Sequence, residues 1–168
     1  GGAELRRFQR ELGMLRRLAD ADGVVQVTAA FVHKHHAYIE MPRYKYGSMG
    51  AWIAQQRPGD AQRKHAALRL ALALERVHAA GVVHCDVKPD NVFFDARGHP
   101  FLGDFDVSLD AAERTRTFHT QTLAHGGTPA YMAPELSRGQ PASKASDVYA
   151  LGLVLVDLFG SGEMRTPG

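Results

Sequence analysis

Cysteine is almost absent from this sequence of 168 residues, in which Cys85 is the only one. A single cysteine excludes an internal disulfide and fits a reducing compartment. The sequence also lacks an apolar run of roughly 18 residues, the length that a membrane-spanning helix needs, and it has no signal-peptide pattern at its start. We therefore expect a cytoplasmic protein without a membrane partner.

An excess of charge of either sign is missing as well. The sequence has 20 Lys and Arg against 18 Asp and Glu, a net charge of +2. So small a charge does not indicate a nucleic-acid partner, and the arginines near the start share a helix with a regular apolar stripe, which favours a solvated helix face. With 45% apolar and 23% charged residues, the chain is typical of one globular domain with a hydrophobic core.

The apolar periodicity predicts a mixture of helices and strands. Spacings of three and four predict an amphipathic helix over the first twenty residues, a second over about 62–80, and a last one from about 146 to 159. Strands are predicted at 24–27, 37–41, 82–83, 92–94 and 101–102. The first two are expected to form a hairpin with the His33 to His36 run at its loop, where solvation is favoured over metal binding. Residues 42–50 are expected to be a connector, and 106–130 show no periodicity.

The segment from His84 to Asn91 places an acid, an amine and a carboxamide at fixed offsets, as Asp86, Lys88 and Asn91. A second acid, Asp104, follows an apolar run. Phosphoryl transfer needs a base for a hydroxyl, a cation for a phosphate and oxygen ligands for a divalent metal. These residues therefore indicate phosphate chemistry.

The order of motifs resembles a eukaryotic-type protein kinase catalytic domain of the serine/threonine branch. The matching segments are 84–91 (the catalytic loop), Gly103-Asp104-Phe105-Asp106 (the metal-binding motif), Gly127-Thr128-Pro129-Ala130-Tyr131 (the substrate-docking loop), Ala133-Pro134-Glu135, the helix around Asp147, and the helix containing Glu11. The resemblance implies an α+β, two-lobe fold. Residues 1–41 would be a small-lobe remnant, comprising the regulatory helix and two strands, and residues 42–168 a large-lobe portion.

The resemblance also implies roles on the substrate side of the site. Asp86 would accept or orient the proton of the attacking hydroxyl, and Lys88 would place its charge on the transferring phosphate. The Thr128 hydroxyl would bridge these two residues. The implied partner is a protein that presents a serine or threonine.

On the nucleotide side, the resemblance implies ATP and Mg²⁺ as cofactors. Asn91 and Asp104 would be the magnesium ligands. The segment from Met41 through Arg43 to Tyr44 would be the hinge along adenine, with Phe93 under the ring. Glu11 would belong to the nucleotide site through a lysine partner. Each acid also has a plainer interpretation: Asp86 as a surface turn residue, Asp104 as a strand cap, and Glu11 as an exposed helical glutamate.

The resemblance further implies a stack of side chains that links the lobes. Its members would be Leu15, Val27, His84 and Phe105, with Asp147 holding the base. His84 and Phe105 are accordingly interpreted as packed residues and not as catalysts.

Three positions depart from the family pattern. In the family, the segment between the Asp104 motif and Ala133-Pro134-Glu135 is the activation segment. Cys85 replaces the arginine that would hold this segment when it is phosphorylated, and Ala124 stands where a phosphorylated threonine is often found. Together they predict a segment that is not switched by phosphorylation there, although Thr115, Thr117, Thr120 and Thr122 remain possible targets. Asp106 replaces a glycine, which restricts the backbone and adds negative charge beside the metal-binding acid.

Three functions remain open at this point. The first is an active serine/threonine kinase, favoured because Asp86, Lys88, Asn91 and Asp104 are all present. The second is a non-catalytic kinase-like scaffold. The third is a small-molecule phosphotransferase, which residues 127–131 and 133–135 disfavour because these motifs suit a polypeptide.

Before its first helix the sequence shows no glycine-rich loop and no strand lysine, and after Gly168 nothing corresponds to the last large-lobe helices. We therefore expect a kinase domain truncated at both ends, and little or no kinase activity from the 168-residue chain alone, because an open nucleotide cleft weakens charge interactions. Magnesium-dependent phosphorylation by the purified chain, abolished by Asp86→Ala, would contradict this expectation.

Overall fold

The computed structural model describes residues 2–34, 36–111 and 129–160. Its helices are α1 (Gly2–Arg17), α2 (Met49–Gln56), α3 (Asp60–Ala79), α4 (Pro134–Ser137) and α5 (Lys144–Phe159). Its strands are β1 (Ala29–His33), β2 (His36–Glu40), β3 (Gly47–Ser48), β4 (Val82–Val83), β5 (Val92–Phe94), β6 (Pro100–Leu102) and β7 (Leu109–Asp110). Single turns of 3-10 helix lie at Pro89–Asn91 and Pro129–Tyr131.

The described strands pair in small antiparallel sheets. β1 pairs with β2, β5 lies between β3 and β6, and β4 pairs with β7. With the helices, this arrangement confirms the predicted α+β class. Within the described ranges, no helix is both long enough and apolar enough to cross a membrane.

The predicted hairpin exists, but its first strand was placed wrongly. The hairpin pairs β1 with β2, from Ala29 opposite Glu40 to His33 opposite His36. Val24, assigned to the first strand, instead makes a parallel bridge to Leu102, and the N–H of Val25 donates to the Leu102 carbonyl at 2.8 Å. Both valines are buried in the core. An apolar run thus predicted extended backbone correctly, but it did not specify the strand partner.

The connector predicted at 42–50 is shorter than expected, because β3 and α2 begin within it. Trp52 of α2 is 2% exposed, and its ring stacks on Phe94 at 4.0 Å with 7° between the planes. This helix has only eight residues, which is shorter than the window of about 11–18 residues in which apolar periodicity identifies a helix. The Trp52–Phe94 stack fixes α2 against the strand that follows the catalytic loop.

Helix α3 lies at the centre of the structure and contacts both β6 and α5. Its buried face contains Ala66, Leu70, Ala73, Leu74 and Val77. The loop after α1 lies directly on this helix: Gly23 has φ +82°, and a Cβ there would stand 2.8 Å from the Ala73 Cβ. Only glycine tolerates both that conformation and that approach. The end of α1 is thereby held on the helix that precedes the candidate site.

Candidate active site

The catalytic loop is attached to α5 through the buried carboxylate of Asp147, which is 2% exposed. Asp147 accepts hydrogen bonds from the backbone N–H groups of His84 and Cys85, each at 2.8 Å. The ring Nε2 of His78 on α3 lies 2.8 Å from the same carboxylate. The first turn of a helix is a favourable position for a negative charge. One side chain therefore joins the loop to two helices.

The His84 side chain joins the catalytic loop to the segment that contains Asp104. Its Nδ1 accepts from the backbone N–H of Asp86 at 3.3 Å, so Nε2 has the ring proton and donates to the Gly103 carbonyl at 3.0 Å. The ring lies 4.6 Å from the ring of Phe105, and both residues are fully buried. His84 is thus placed as a packed residue.

The residues expected to complete the inter-lobe stack also lie in the core. Leu15 is 5% exposed, and Val27 is a partly buried side chain packed against the same cluster. Both come from residues 1–41, the predicted small-lobe remnant. The core is therefore continuous from α1 to Phe105.

Asp86, Lys88 and Asn91 are brought together at one carboxylate oxygen. The Nζ of Lys88 donates to Asp86 Oδ2 at 2.7 Å, and the Nδ2 of Asn91 donates to the same oxygen and to the Asp86 carbonyl, each at 2.9 Å. The Asp86 and Lys88 side chains are 19% and 17% exposed. The carboxylate is therefore oriented by two side chains of its own loop and remains partly open to solvent.

Asp104 lies next to this group but outside its hydrogen bonds. The Gly103 N–H donates to the Asn91 carbonyl at 2.9 Å, which brings the two predicted metal ligands close along the backbone. Asp104 is exposed and has φ +61°, a left-handed conformation that aspartate tolerates better than most residues. A second acid is thus presented to solvent beside the loop.

The donor set at this position fits magnesium. The Asn91 amide uses its NH₂ group on Asp86, which leaves its oxygen as the atom for a cation, and Asp104 adds a carboxylate. Within the described residues, no group of three His, Cys, Asp or Glu side chains forms a metal cluster. Mg²⁺ needs no such cluster, because it is commonly held by one or two protein oxygens together with substrate phosphates.

On the predicted nucleotide side, Met41 is 46% exposed and Arg43 is also exposed, as accessible hinge residues would be. Phe93 is half-buried, and its ring lies 5.8 Å from that of Tyr44. Tyr44 also lies 5.1 Å from Phe101. Burial raises the pKa of the Tyr44 hydroxyl.

This aromatic group shows what sequence reasoning missed. Tyr44 was assigned a backbone role only, and Phe101 was assigned none. The signal was the presence of a phenylalanine on each of two neighbouring predicted strands, and their antiparallel pairing places Phe93 opposite Phe101. A Cβ on Gly103 would come within 2.8 Å of the Phe93 ring, so glycine at that position allows the ring to lie there.

The two remaining site predictions stand differently. Glu11 is half-buried on α1, on the helix where the resemblance places it. Thr128 lies outside the described residues, as do Ala124 and the four other threonines of that segment. The part that Thr128 would play therefore stays a prediction.

Cys85 occupies an apolar environment beside Asp86. It packs with Leu109, Met132, Ala133, Leu136 and Ala142. Its φ is +69°, a conformation that costs a side-chain-bearing residue about 1–2 kcal/mol, and the hydrogen bond from its N–H to Asp147 helps to hold it. Burial, followed by the nearby charge of Asp147, raises the pKa of the thiol far above its ordinary value. Thus the position where the family has arginine holds an uncharged side chain.

The comparison with family models decides the identity of the fold. The protein kinase domain model matches residues 2–165. This chain belongs to the protein kinase family. The match covers the catalytic loop, the Asp104 segment and α5, the three elements that the hydrogen bonds described above join.

The curated relatives include serine/threonine kinases from bacteria and plants. The chain is 35% identical over 153 residues to serine/threonine-protein kinase PknK of Mycobacterium tuberculosis, an alignment that covers 90% of this chain and 13% of the relative. It is 34% identical to the putative CBL-interacting protein kinase 13 of rice, over 90% of this chain and 29% of that protein. It is 44% identical to serine/threonine-protein kinase PkaB of Streptomyces coelicolor, over 55% of this chain and 25% of the relative. The chain thus spans less than a third of the length of each of these relatives.

Replacing Asp147 by asparagine is expected to destabilise the domain by about 2–4 kcal/mol, because an amide NH₂ would then face backbone N–H donors in a buried site. Urea unfolding measures the change. Asp20→Asn is the matched control, since Asp20 is exposed and is expected to change the free energy of unfolding by less than about 0.5 kcal/mol. Equal effects of the two substitutions would contradict the assigned position of Asp147.

The raised pKa of Cys85 gives a prediction with a defined sign. The thiol stays protonated in the folded chain, so alkylation by iodoacetamide at pH 8 should be at least about tenfold slower than in urea. Because the folded pKa lies above the unfolded one, the contribution to stability is complete below about pH 8.5 and is lost as pH rises, by up to about 1.4 kcal/mol per pH unit. Cys85→Ala is the control that lacks this component. Equal alkylation rates with and without urea would contradict the burial of the thiol.

Proposed function

We propose that this chain supplies the catalytic loop of a serine/threonine protein kinase, which transfers the γ-phosphate of ATP to a hydroxyl of a polypeptide. The observation that supports it most is the shared contact of Lys88 and Asn91 with one carboxylate oxygen of Asp86. A scaffold has no physical need to orient an acid in this way. The serine/threonine kinases among the relatives support the same substrate class.

In this proposal Asp86 and Lys88 have separate roles. Asp86, 19% exposed, is accessible to the substrate hydroxyl and accepts or orients its proton. Lys88 lies 2.7 Å from that carboxylate and is therefore able to place its ammonium on the transferring phosphate as well. A cation beside both groups stabilises the charge that shifts between them.

Asn91 and Asp104 would hold Mg²⁺, which neutralises charge on the nucleotide phosphates when it is bound. The contribution of the chain is to fix these ligands before the nucleotide arrives. Asn91 is 5% exposed and is held by two hydrogen bonds to Asp86. Phe93, with Tyr44 beside it, offers an apolar surface for a purine ring below the hinge at Met41 and Arg43.

A polypeptide substrate is favoured over a small molecule by the contacts that hold residues 131–135 against α5. Tyr131 donates its hydroxyl proton to Asp157 at 2.6 Å, and Glu135 accepts from the Ser146 hydroxyl at 2.8 Å. These contacts fix α4 and the preceding turn on α5. A surface that is fixed in this way can bind an extended peptide. The cytoplasmic location and the absence of nucleic-acid and membrane partners stay predictions.

We expect no control of this site by a phosphate on the activation segment that depends on the position of Cys85. The side chain next to Asp86 is the partly buried, uncharged Cys85, which packs against Ala133 and Leu136. A phosphate would find no guanidinium at this position. Leu109 and Met132 pack against the same two residues. Apolar contacts thus connect the catalytic loop to these parts of the chain without a phosphate.

The decisive experiment uses the full-length gene product and γ-labelled ATP with serine- and threonine-containing peptides. Asp86→Asn is expected to lower kcat by about 10²- to 10⁴-fold, the range for loss of a general base, with little change in the KM for ATP. Asp90→Asn is the matched control, because Asp90 lies in the same loop and is exposed; its rate should stay within about twofold.

Two results would overturn the proposal. One is an unchanged rate in Asp86→Asn. The other is the absence of transfer to any peptide by the unsubstituted protein, which would favour the scaffold. Transfer to a small hydroxylated compound but not to peptides would identify a small-molecule phosphotransferase instead of a protein kinase.

A further inference from the structure

Arg17, the last residue of α1, bridges three elements. Its Nη1 donates to Asp110 Oδ2 of β7 at 2.6 Å, and its Nη2 donates to the Ala80 carbonyl at the end of α3, also at 2.6 Å. These are short, charge-assisted hydrogen bonds. They connect residues separated by 93 and 63 positions in the sequence.

The turn that receives the guanidinium is shaped for it. Gly81 has φ +73°, and a Cβ there would come within 2.9 Å of Arg17 Nη2. The Gly81 carbonyl in turn accepts from the N–H of Ala111 at 2.8 Å. The missing side chain at residue 81 therefore lets the guanidinium reach both the turn and β7.

The pairing that holds β7 is otherwise small. β7 pairs with β4 through two residue pairs, Val82 opposite Asp110 and Val83 opposite Leu109. A ladder this short is marginal in water. An additional connection at Asp110 is thus expected to matter more here than it would in an extended sheet.

Helix α1 does not pack closely along β7. A groove of about 300 Å³ lies between them, lined among others by Gln9, Gly13, Ser108 and Leu109. A Cβ on Gly13 would meet no atom within 4 Å. The Arg17–Asp110 contact thus spans one end of a gap that apolar packing leaves open.

The segment on the far side of this contact begins at Asp104 and is short and internally bonded. Ser108 is fully buried, and its backbone N–H and its hydroxyl both donate to the Phe105 carbonyl, at 3.1 and 2.6 Å. A displacement of Asp110 is therefore transmitted toward Asp104. Asp104 itself is held at φ +61°, a conformation that persists only when its surroundings impose it.

We propose that Arg17 is a positioning residue that couples α1 to the segment Asp104–Asp110 and thereby sets the position of the Asp104 carboxylate. This inference rests on the proposed function only in so far as Asp104 is a metal ligand; the coupling itself is structural. The Arg17–Asp110–Ala80 bridge holds the end of α1, β7 and the end of α3 in one arrangement. The nucleotide need not be present for this coupling.

The test compares Arg17→Met with Arg16→Met in the full-length gene product. Arg16 is the exposed neighbour in the same helical turn, so the control removes an equal charge from the same place. Arg17→Met is expected to raise the Mg²⁺ concentration for half-maximal transfer by about three- to fivefold, the range for one partly exposed ion pair. Arg17→Lys, which retains the charge, should recover part of the loss.

The second measurement does not need activity. Amide hydrogen exchange in a peptide covering 107–111 is expected to become at least about threefold faster in Arg17→Met and in Asp110→Asn. The effect of the double variant should be smaller than the sum of the two single effects, because both substitutions remove the Arg17–Asp110 contact. If Arg17 stabilised the domain without acting through Asp110, the effects of Arg17→Met and Asp110→Asn on the exchange rate would be additive in the double variant.

The outcomes separate this inference from the proposed function. Exchange in Arg17→Met equal to that in Arg16→Met overturns the bridge, whatever the activity. Faster exchange with an unchanged Mg²⁺ dependence overturns the coupling to Asp104. If the unsubstituted protein transfers no phosphate, the proposed function fails, and exchange measured across residues 103–111 still decides whether the bridge holds the segment.

Discussion

The carboxylate of Asp147 is the constraint on which the rest of the site depends. It receives two backbone N–H groups of the catalytic loop and lies within hydrogen-bond distance of the His78 ring. A buried carboxylate loses its hydration, and buried N–H groups lose theirs. The hydrogen bonds between them compensate both losses, so neither side can be removed without leaving the other unsatisfied. The loop conformation, including the left-handed Cys85, follows from that mutual requirement. Once His84 is fixed, its ring fixes Gly103, and the second acid follows.

The site therefore consists of two parts with different origins. The group around Asp86 is local, because Lys88 and Asn91 lie within five positions of it. Its assembly onto the domain is non-local, through Asp147 and through the bridge at Arg17. Local geometry orients the Asp86 carboxylate, and distant contacts place it relative to the segment that contains Asp104. The side chains with reactive groups therefore differ from Asp147 and Arg17, which position them.

Prediction from the sequence succeeded where the signal was itself local. The loop that groups Asp86, Lys88 and Asn91 and the helices α1, α3 and α5 were evident from short sequence patterns, whereas the chemical roles of these residues stay predictions. The first hairpin strand was wrong because Val24 and Val25 are apolar enough for any strand, and only the competing partner Leu102 decides their place. Helix α2 was missed because its eight residues are too few for an apolar periodicity to be recognised. Arg17 was interpreted as part of a solvated helix face, since neither Asp110 nor the Ala80 carbonyl is near it in the sequence.

The separation between Asp147 and the loop that it holds has a consequence for how the domain is made. The N–H groups of His84 and Cys85 precede their acceptor by 63 and 62 residues. During synthesis from the N-terminus, the loop therefore emerges well before the helix that completes it, and contacts with so large a separation form late. Until α5 arrives, Cys85 has no partner to offset its left-handed backbone. The nascent chain thus acquires its acid, amine and carboxamide first and the attachment of their loop to α5 last.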